Sequence, residues 1–144
     1  MVVFWASNPE GTSGAYGSFE GTIRRKWLKE LDIDIVHVDP FYNDSCQFLG
    51  GKWLPTKPTS SPALAMAIAY VWIKENLYDK DFVKNRTVGF DKWKDYILGK
   101  DDKVEKTPEW AAKETGLSAK DIRALARKWG CLLYTSPSPR DRNV

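Results

Sequence analysis

The chain has 144 residues, of which 42% are hydrophobic and 28% charged, with a formal charge of +3. Those figures suit one modest globular domain with a core. They exclude a disordered chain, and Lys and Arg are too dispersed for a nucleic-acid-binding stripe. Two cysteines, Cys46 and Cys131, give neither a disulfide framework nor metal-ligand spacing, and the longest apolar run, Ala63 to Ile73, falls far short of the roughly 20 residues of a membrane span.

Met1–Ala6 reads as a buried strand, since Val2, Val3, Phe4 and Trp5 form a short continuous apolar run. No charged-then-apolar leader precedes it, so a cytoplasmic location is expected, and a chain opening directly on a strand reads as a fragment. A loop follows from Ser7 to about Gly17. Tyr16, Phe19, Ile23, Trp27 and Leu31 then recur at three- and four-residue spacing, which predicts an amphipathic helix. Ile33–Asp39 is a second strand, ended by Pro40. Strand, loop, helix and strand in this order make a βαβ unit with parallel strands.

A turn around Asn43–Ser45 leads into "FLGGKWLP", read as a short helical turn and a brief third strand. Ser61 and Pro62 are a cap and first position for a helix running to about Asn76, apolar nearly all round and therefore buried on most sides. Shorter helices are predicted near Lys80–Lys84 and Phe90–Leu98. Thr107 caps another that starts at Pro108 and stops at Gly116, and Ser118 with Asp121 opens the last with a capping-box start. The fold class is α/β: a fragment of a Rossmann-like parallel-sheet domain with flanking helices.

The first loop holds the chemistry. In an open α/β sheet, ligands gather outside the carboxyl ends of the strands, and a helix N-terminus favours phosphate. Gly11, Gly14 and Gly17 allow close approach, while Ser7, Asn8, Thr12 and Ser13 offer hydrogen bonds. Asp39 ends the second strand where a nucleotide-binding unit places a carboxylate for ribose hydroxyls. The bland alternative stays open: the glycines make a surface turn, and Asp39-Pro40 merely ends a strand. Their G-x-x-G-x-x-G spacing is not that of ordinary nicotinamide binders.

"VFWASNPEGTSG", "VHVDPFYNDS" and "WLPTKPTSSPALAMAIAYVWIKE", in that order, resemble the molybdopterin oxidoreductases of the dimethyl-sulfoxide-reductase type. The phrasing is most similar to the branch that transfers hydroxyl groups on hydroxylated aromatics, of the pyrogallol-to-phloroglucinol kind. The resemblance covers about residues 1–130 and implies part of a domain that clasps one molybdopterin guanine dinucleotide of a bis-dinucleotide cofactor carrying molybdenum or tungsten.

On this resemblance Trp5, Ala6, Ser7, Asn8, Pro9, Glu10, Gly11 and Thr12 lie along the dinucleotide and its pyrophosphate. Asp39 and Pro40 reach the guanosine end. The family's Gly-Thr-Asp falls on Thr59, Ser60 and Ser61, beside the guanine. Three departures stand out: Ala6 replaces a Gly, Ser61 a carboxylate, and Phe41 a frequent Arg. The resemblance also implies a small-molecule substrate and an iron–sulfur small subunit, with iron–sulfur clusters only in that partner; the dispersed charge and the short apolar run predict no nucleic acid and no membrane segment. Other family activities, reduction of oxyanions or of N- and S-oxides, remain alternatives, as does a nucleotide-binding module without chemistry.

His37 is the only histidine and reads as a hydrogen-bonded structural residue. Cys46 reads as a buried thiol rather than a metal ligand. Glu10 and Glu20 have no nucleophile to serve, and Trp27, Trp53, Trp72, Trp93, Trp110 and Trp129 read as core and interface. No catalytic residue is assigned, and the isolated fragment is expected to be inactive. Cys131–Asp141, "CLLYTSPSPRD", is what a transposase-type sequencing adapter spells when translated, so residues 131–144 are read as an appended tail on a truncated environmental (metagenomic) gene fragment.

Overall fold

Val2–Trp5 forms strand β1 in the computed structural model, which describes residues 1–12 and 20–135. Strand β2, Ile35–Val38, pairs with it in parallel, with Val2 opposite Ile35 and Trp5 opposite Val38. Strand β3, Lys52–Leu54, joins β2 in parallel, so the order is β1–β2–β3. All four β2 residues are buried. Parallel strands covered on both faces need such continuous apolar runs, and this is why the βαβ pattern was legible.

The chain divides into two compact units, Met1–Pro58 and Thr59–Val144. In the first, helix α1 (Glu20–Glu30) and helix α2 (Asp44–Leu49) connect the strands. Tyr16 and Phe19, expected on the apolar stripe of α1, lie outside the described residues. The rest of that stripe departs from expectation, for Ile23, Trp27 and Leu31 are 54%, 54% and 70% exposed. Gly21, Thr22, Arg25 and Leu28 are the more covered positions, because Thr22 and Arg25 turn inward to bind Glu10.

Residues 43–45, expected as a turn, open a full helix. The Asn43 side chain accepts from the Cys46 N–H at 3.1 Å and caps α2. Gly50 and Gly51 then turn the chain into β3 at φ +70° and +95°. A Cβ on Gly51 would stand 2.4 Å from the Ile35 carbonyl oxygen, so only glycine lets β3 approach β2 here.

The second unit is helical. Helix α3 (Ser61–Lys74) packs against α5 (Phe90–Ile97), α6 (Pro108–Thr115) and α7 (Ala119–Thr135), while α4 (Lys80–Arg86) buries no residue. Leu64 and Ala67 of α3 are fully buried, and the Trp72 indole N–H donates to the Ala126 carbonyl at 2.7 Å. The α3 cap falls one residue earlier than expected: Ser60 holds it, without a side-chain capping bond to the helix, and Pro62 sits inside the first turn. Thr107 caps α6 through the Trp110 N–H at 3.1 Å, and Ser118 accepts from the Asp121 N–H at 3.0 Å, as their spacing predicts. Lys106 is a buried cation satisfied by Asp102, by the Val104 carbonyl and by the ring of Tyr96.

Helix α7 runs on past Gly130 to Thr135. Cys131 is exposed, and the remainder of the expected tail, residues 136–144, lies outside the described residues.

Candidate functional site

The first loop leaves the carboxyl end of β1 and is shaped by hydrogen bonds within the first unit. Ala6 takes φ +46°, which turns the chain sharply out of the strand. The Asn8 carbonyl then accepts from the N–H groups of Gly11 and Thr12, both at 3.1 Å, and from the Thr12 hydroxyl. The Asn8 side chain locks the loop to α2. Its Oδ1 accepts from the Ser45 N–H at 3.2 Å, the Ser45 hydroxyl at 2.9 Å and the Gly11 N–H at 3.3 Å, and its Nδ2 donates to Asp44 at 3.1 Å. The Glu10 N–H donates to Ser45 Oγ at 3.1 Å.

Glu10 is committed as well. Its carboxylate accepts from Thr22 at 2.6 Å and pairs with Arg25. Burial pushes its pKa up, but the hydrogen bonds from Arg25 and Thr22 more than offset this and hold it below the usual carboxylate value. Glu10 is therefore an anchor whose charge Arg25 neutralises, and not an acid–base group.

The Glu10, Gly11 and Thr12 N–H groups are taken up by hydrogen bonds to Ser45 and Asn8. These hydrogen bonds do not use the N–H groups of Ser7 and Asn8 or the Ser7 hydroxyl. Gly14, Gly17 and Ser13 lie outside the described residues.

Asp39 stands on the same rim. The Asn43 side-chain amide donates to the Ser7 carbonyl at 3.4 Å and to Asp39 Oδ2 at 3.1 Å, tying the two strand ends together. Asp39 Oδ1 accepts from the Phe41 N–H at 2.9 Å, an Asx turn made through Pro40. A carboxylate has about four lone-pair positions, so Asp39 keeps room for a hydroxyl or N–H donor. Phe41 itself is 72% exposed, and its side chain brings no hydrogen-bonding group. Asn43, Asp44, Ser45, Thr22 and Arg25 were not singled out from sequence, although Asn43 followed by an acidic residue ahead of Cys46, Phe48 and Leu49 carries a cap signal that could have exposed it.

Thr59, Ser60 and Ser61 belong to the second unit. Thr59 takes φ +67°, an outlier for a β-branched residue. It stands where the family resemblance puts a Gly, and Ala6 does too, so the sequence departs from glycine at two positions whose backbone calls for it. Both side chains are exposed. Ala6→Gly and Thr59→Gly should each stabilise by up to about 1 kcal/mol, the left-handed strain relieved less the entropy of glycine. Denaturant midpoints check this, and a loss of stability in either variant contradicts it.

His37 is structural, as expected. It is buried, stacks on Phe4 with ring centroids 5.2 Å apart, and shares a 3.0 Å hydrogen bond between Nε2 and the Gly50 carbonyl. Its Nδ1 is buried with no partner, so a second proton there would find no acceptor. Burial pushes the His37 pKa below its ordinary value, against smaller opposing effects of the Gly50 carbonyl and Asp39. The unfolded chain then binds the proton more readily. Stability should be full above the unperturbed value of about 6.5 and fall as pH drops through it towards the lowered folded value. Melting of the first unit followed from neutral to mildly acid pH should show this slope, and His37→Gln should lose it. Cys46 is a buried free thiol, raised in pKa by its burial. Trp53, Trp72, Trp110 and Trp129 are partly covered, whereas Trp27 and Trp93 are exposed. Among the described residues, no cluster of three or more His, Cys, Asp and Glu could hold a metal ion, and no helix is long and apolar enough to cross a membrane.

No protein-family model matches the chain. It is 50% identical over 129 residues to the pyrogallol hydroxytransferase large subunit of Pelobacter acidigallici, a match covering 90% of this chain and 15% of that protein. It is 35% identical over 136 residues to the dimethyl sulfoxide/trimethylamine N-oxide reductase of Rhodobacter capsulatus, covering 88% and 16%. Among solved structures it is similar to acetylene hydratase from Pelobacter acetylenicus, with a TM-score of 0.66 and 25% identity over 86% of this chain and 16% of that one. The chain thus spans only about a sixth of the length of these relatives.

Proposed function

We propose that this chain, which is similar to a segment of the molybdopterin oxidoreductases of the dimethyl-sulfoxide-reductase type, is the part of such an enzyme that holds one guanine dinucleotide of its cofactor. The observation that carries the reading is the Asn43 bridge, which sets the mouth of the Ser7–Thr12 loop and the Asp39 carboxylate on one rim at the carboxyl ends of β1 and β2. The donor set fits the group. Ser7 and Asn8 offer N–H groups and a hydroxyl to a pyrophosphate, Asp39 offers an acceptor to ribose or guanine, and Arg25 cancels the Glu10 charge that would repel phosphate. Thr59, Ser60 and Ser61 are assigned to the guanine end on the resemblance. When bound, the cofactor supplies the molybdenum or tungsten at which substrate reacts; these residues only hold it.

For the whole enzyme, the reading is hydroxyl transfer on hydroxylated aromatics, supported by the 50% identity to a pyrogallol hydroxytransferase large subunit. That relative's name also supports a small subunit as partner, which we assign the iron–sulfur clusters, and we place the enzyme in the cytoplasm. Residues 1–130 are the cofactor-binding piece and 131–144 the appended tail. The second reading, reduction of an N- or S-oxide, is favoured by the 35% identity to a dimethyl sulfoxide/trimethylamine N-oxide reductase. The test is the full-length protein. It should contain molybdenum or tungsten, release guanine nucleotide on hydrolysis, and act on pyrogallol. Turnover of dimethyl sulfoxide instead selects the second reading, and absence of both metal and guanine nucleotide overturns both.

A further inference from the structure

Helices α4 and α5, with Tyr78 ahead of them, border an open cleft of about 500 Å³ in the second unit. Small-molecule sites measure about 300–1,000 Å³ and combine apolar walls with a few placed charges. The apolar part here is Tyr78, Val83 and Phe90, with the Tyr78 and Phe90 rings 5.3 Å apart and tilted by 39°. The charged part is one-sided. Lys80 and Lys84 of α4 and Lys92 and Lys94 of α5 line the cleft, against the single carboxylate of Asp91.

Among the described residues, none of these four lysines is in an ion pair. The nearby carboxylates are spent elsewhere. Asp79 caps α4 by accepting from the Phe82 N–H at 2.8 Å, and Asp95 pairs with Lys100 at 2.7 Å. Asp81 stands in the first turn of α4 and does not line the cleft. Lys80 and Lys84, four residues apart on one helix, repel each other, and α4 buries no residue that would compensate. Gly89, the cap of α5, also lines the cleft and brings no side-chain acceptor to that helix. Folding thus leaves the cleft short of negative charge.

We propose that this cleft binds a small anion carrying an aromatic ring and two or more negative groups, through residues other than those assigned to the cofactor. The ring packs on Tyr78 and Phe90, and carboxylate or phosphate oxygens meet the lysines, whose mobile point charges suit either group. Asp91 favours a ligand that also carries a hydroxyl or N–H donor. None of this rests on the cofactor reading.

The test is a calorimetric titration of the full-length protein with benzene tricarboxylate, for which submillimolar binding is expected. Inorganic pyrophosphate has the charge without the ring, and phenol the ring without the charge. Each should bind at least about tenfold more weakly. Lys84→Gln and Lys92→Gln should each weaken the tricarboxylate about two- to fivefold, and Lys120→Gln, outside the cleft, should change nothing. Saturating ligand should also slow hydrogen exchange at the Val83 amide, which donates to the Asp79 carbonyl at 3.0 Å, by at least about threefold. Adenosine triphosphate compares the two anionic groups: tighter binding assigns the lysines to phosphate, weaker binding to carboxylate. Neither heat nor exchange protection with either ligand overturns the proposal, as does binding indifferent to both lysine substitutions. Loss of bound guanine nucleotide in those variants overturns it too, because the cleft then belongs to the cofactor site.

Discussion

Gly51→Ala should destabilise the first unit by about 3 kcal/mol. Two costs coincide at this position. The backbone sits at φ +95°, in the region L side chains avoid, which costs about 1–2 kcal/mol. The new Cβ would also lie 2.4 Å from the Ile35 carbonyl oxygen and 2.9 Å from the Ile35 Cβ. Those atoms belong to a buried strand that cannot move without breaking its register with β1, so relief adds a further ~1–3 kcal/mol. The sum, of the order of 3 kcal/mol, is a large share of the ~5–15 kcal/mol that holds a typical domain folded. Gly50→Ala isolates the first cost. Gly50 is at φ +70°, but a Cβ there meets nothing within 4 Å, so it should lose only the conformational share. Equilibrium denaturation of both variants checks this, and equal losses would mean that the contact with Ile35 is not the reason for glycine at 51.

Much of this architecture was legible in the sequence because local pattern and tertiary role coincide. "VVFW" and "IVHV" read as strands since both faces of a parallel sheet are covered, and the caps at Thr107 and Ser118 were visible because a side-chain oxygen three residues before an N–H is a local matter. What failed was the burial of α1. Periodicity marks a face as apolar but does not say what covers it, and here Ile23, Trp27 and Leu31 stay exposed while a polar pair, Thr22 and Arg25, faces inward. The site was half legible. The positions of the Ser7–Thr12 loop and Asp39 follow from the rule that ligands gather at strand ends. The inward turn of Asn8 and Glu10 does not, because it depends on Ser45 and Arg25, which lie 37 and 15 residues further along the chain. No window on the sequence brings those pairs together.

That inward turn gives Asn8→Asp its expected effect: cofactor content in the full-length enzyme should fall severalfold. A phosphate-facing Asn8 would lose occupancy by direct repulsion, but the side chain faces Asp44, with Nδ2 3.1 Å from its carboxylate. Aspartate at position 8 keeps the acceptor for Ser45 and sets two carboxylates against each other. In a part-exposed site this like-charge contact costs of the order of 1–2 kcal/mol, enough to release the loop from α2 and misplace the Ser7 and Asn8 amides. The two explanations separate in a double-mutant cycle. Asp44→Asn added to Asn8→Asp restores an amide opposite a carboxylate, so occupancy should recover if the loop is held through Asp44. It should stay low if the new charge acts on phosphate directly. A second signature is pH, since like charges raise a carboxylate pKa and the defect of the single variant should ease as the solution is acidified towards the range where one of the pair takes up a proton. Metal and guanine nucleotide per mole of protein measure occupancy in each variant. Full occupancy in Asn8→Asp with unchanged stability would separate this loop from the cofactor altogether.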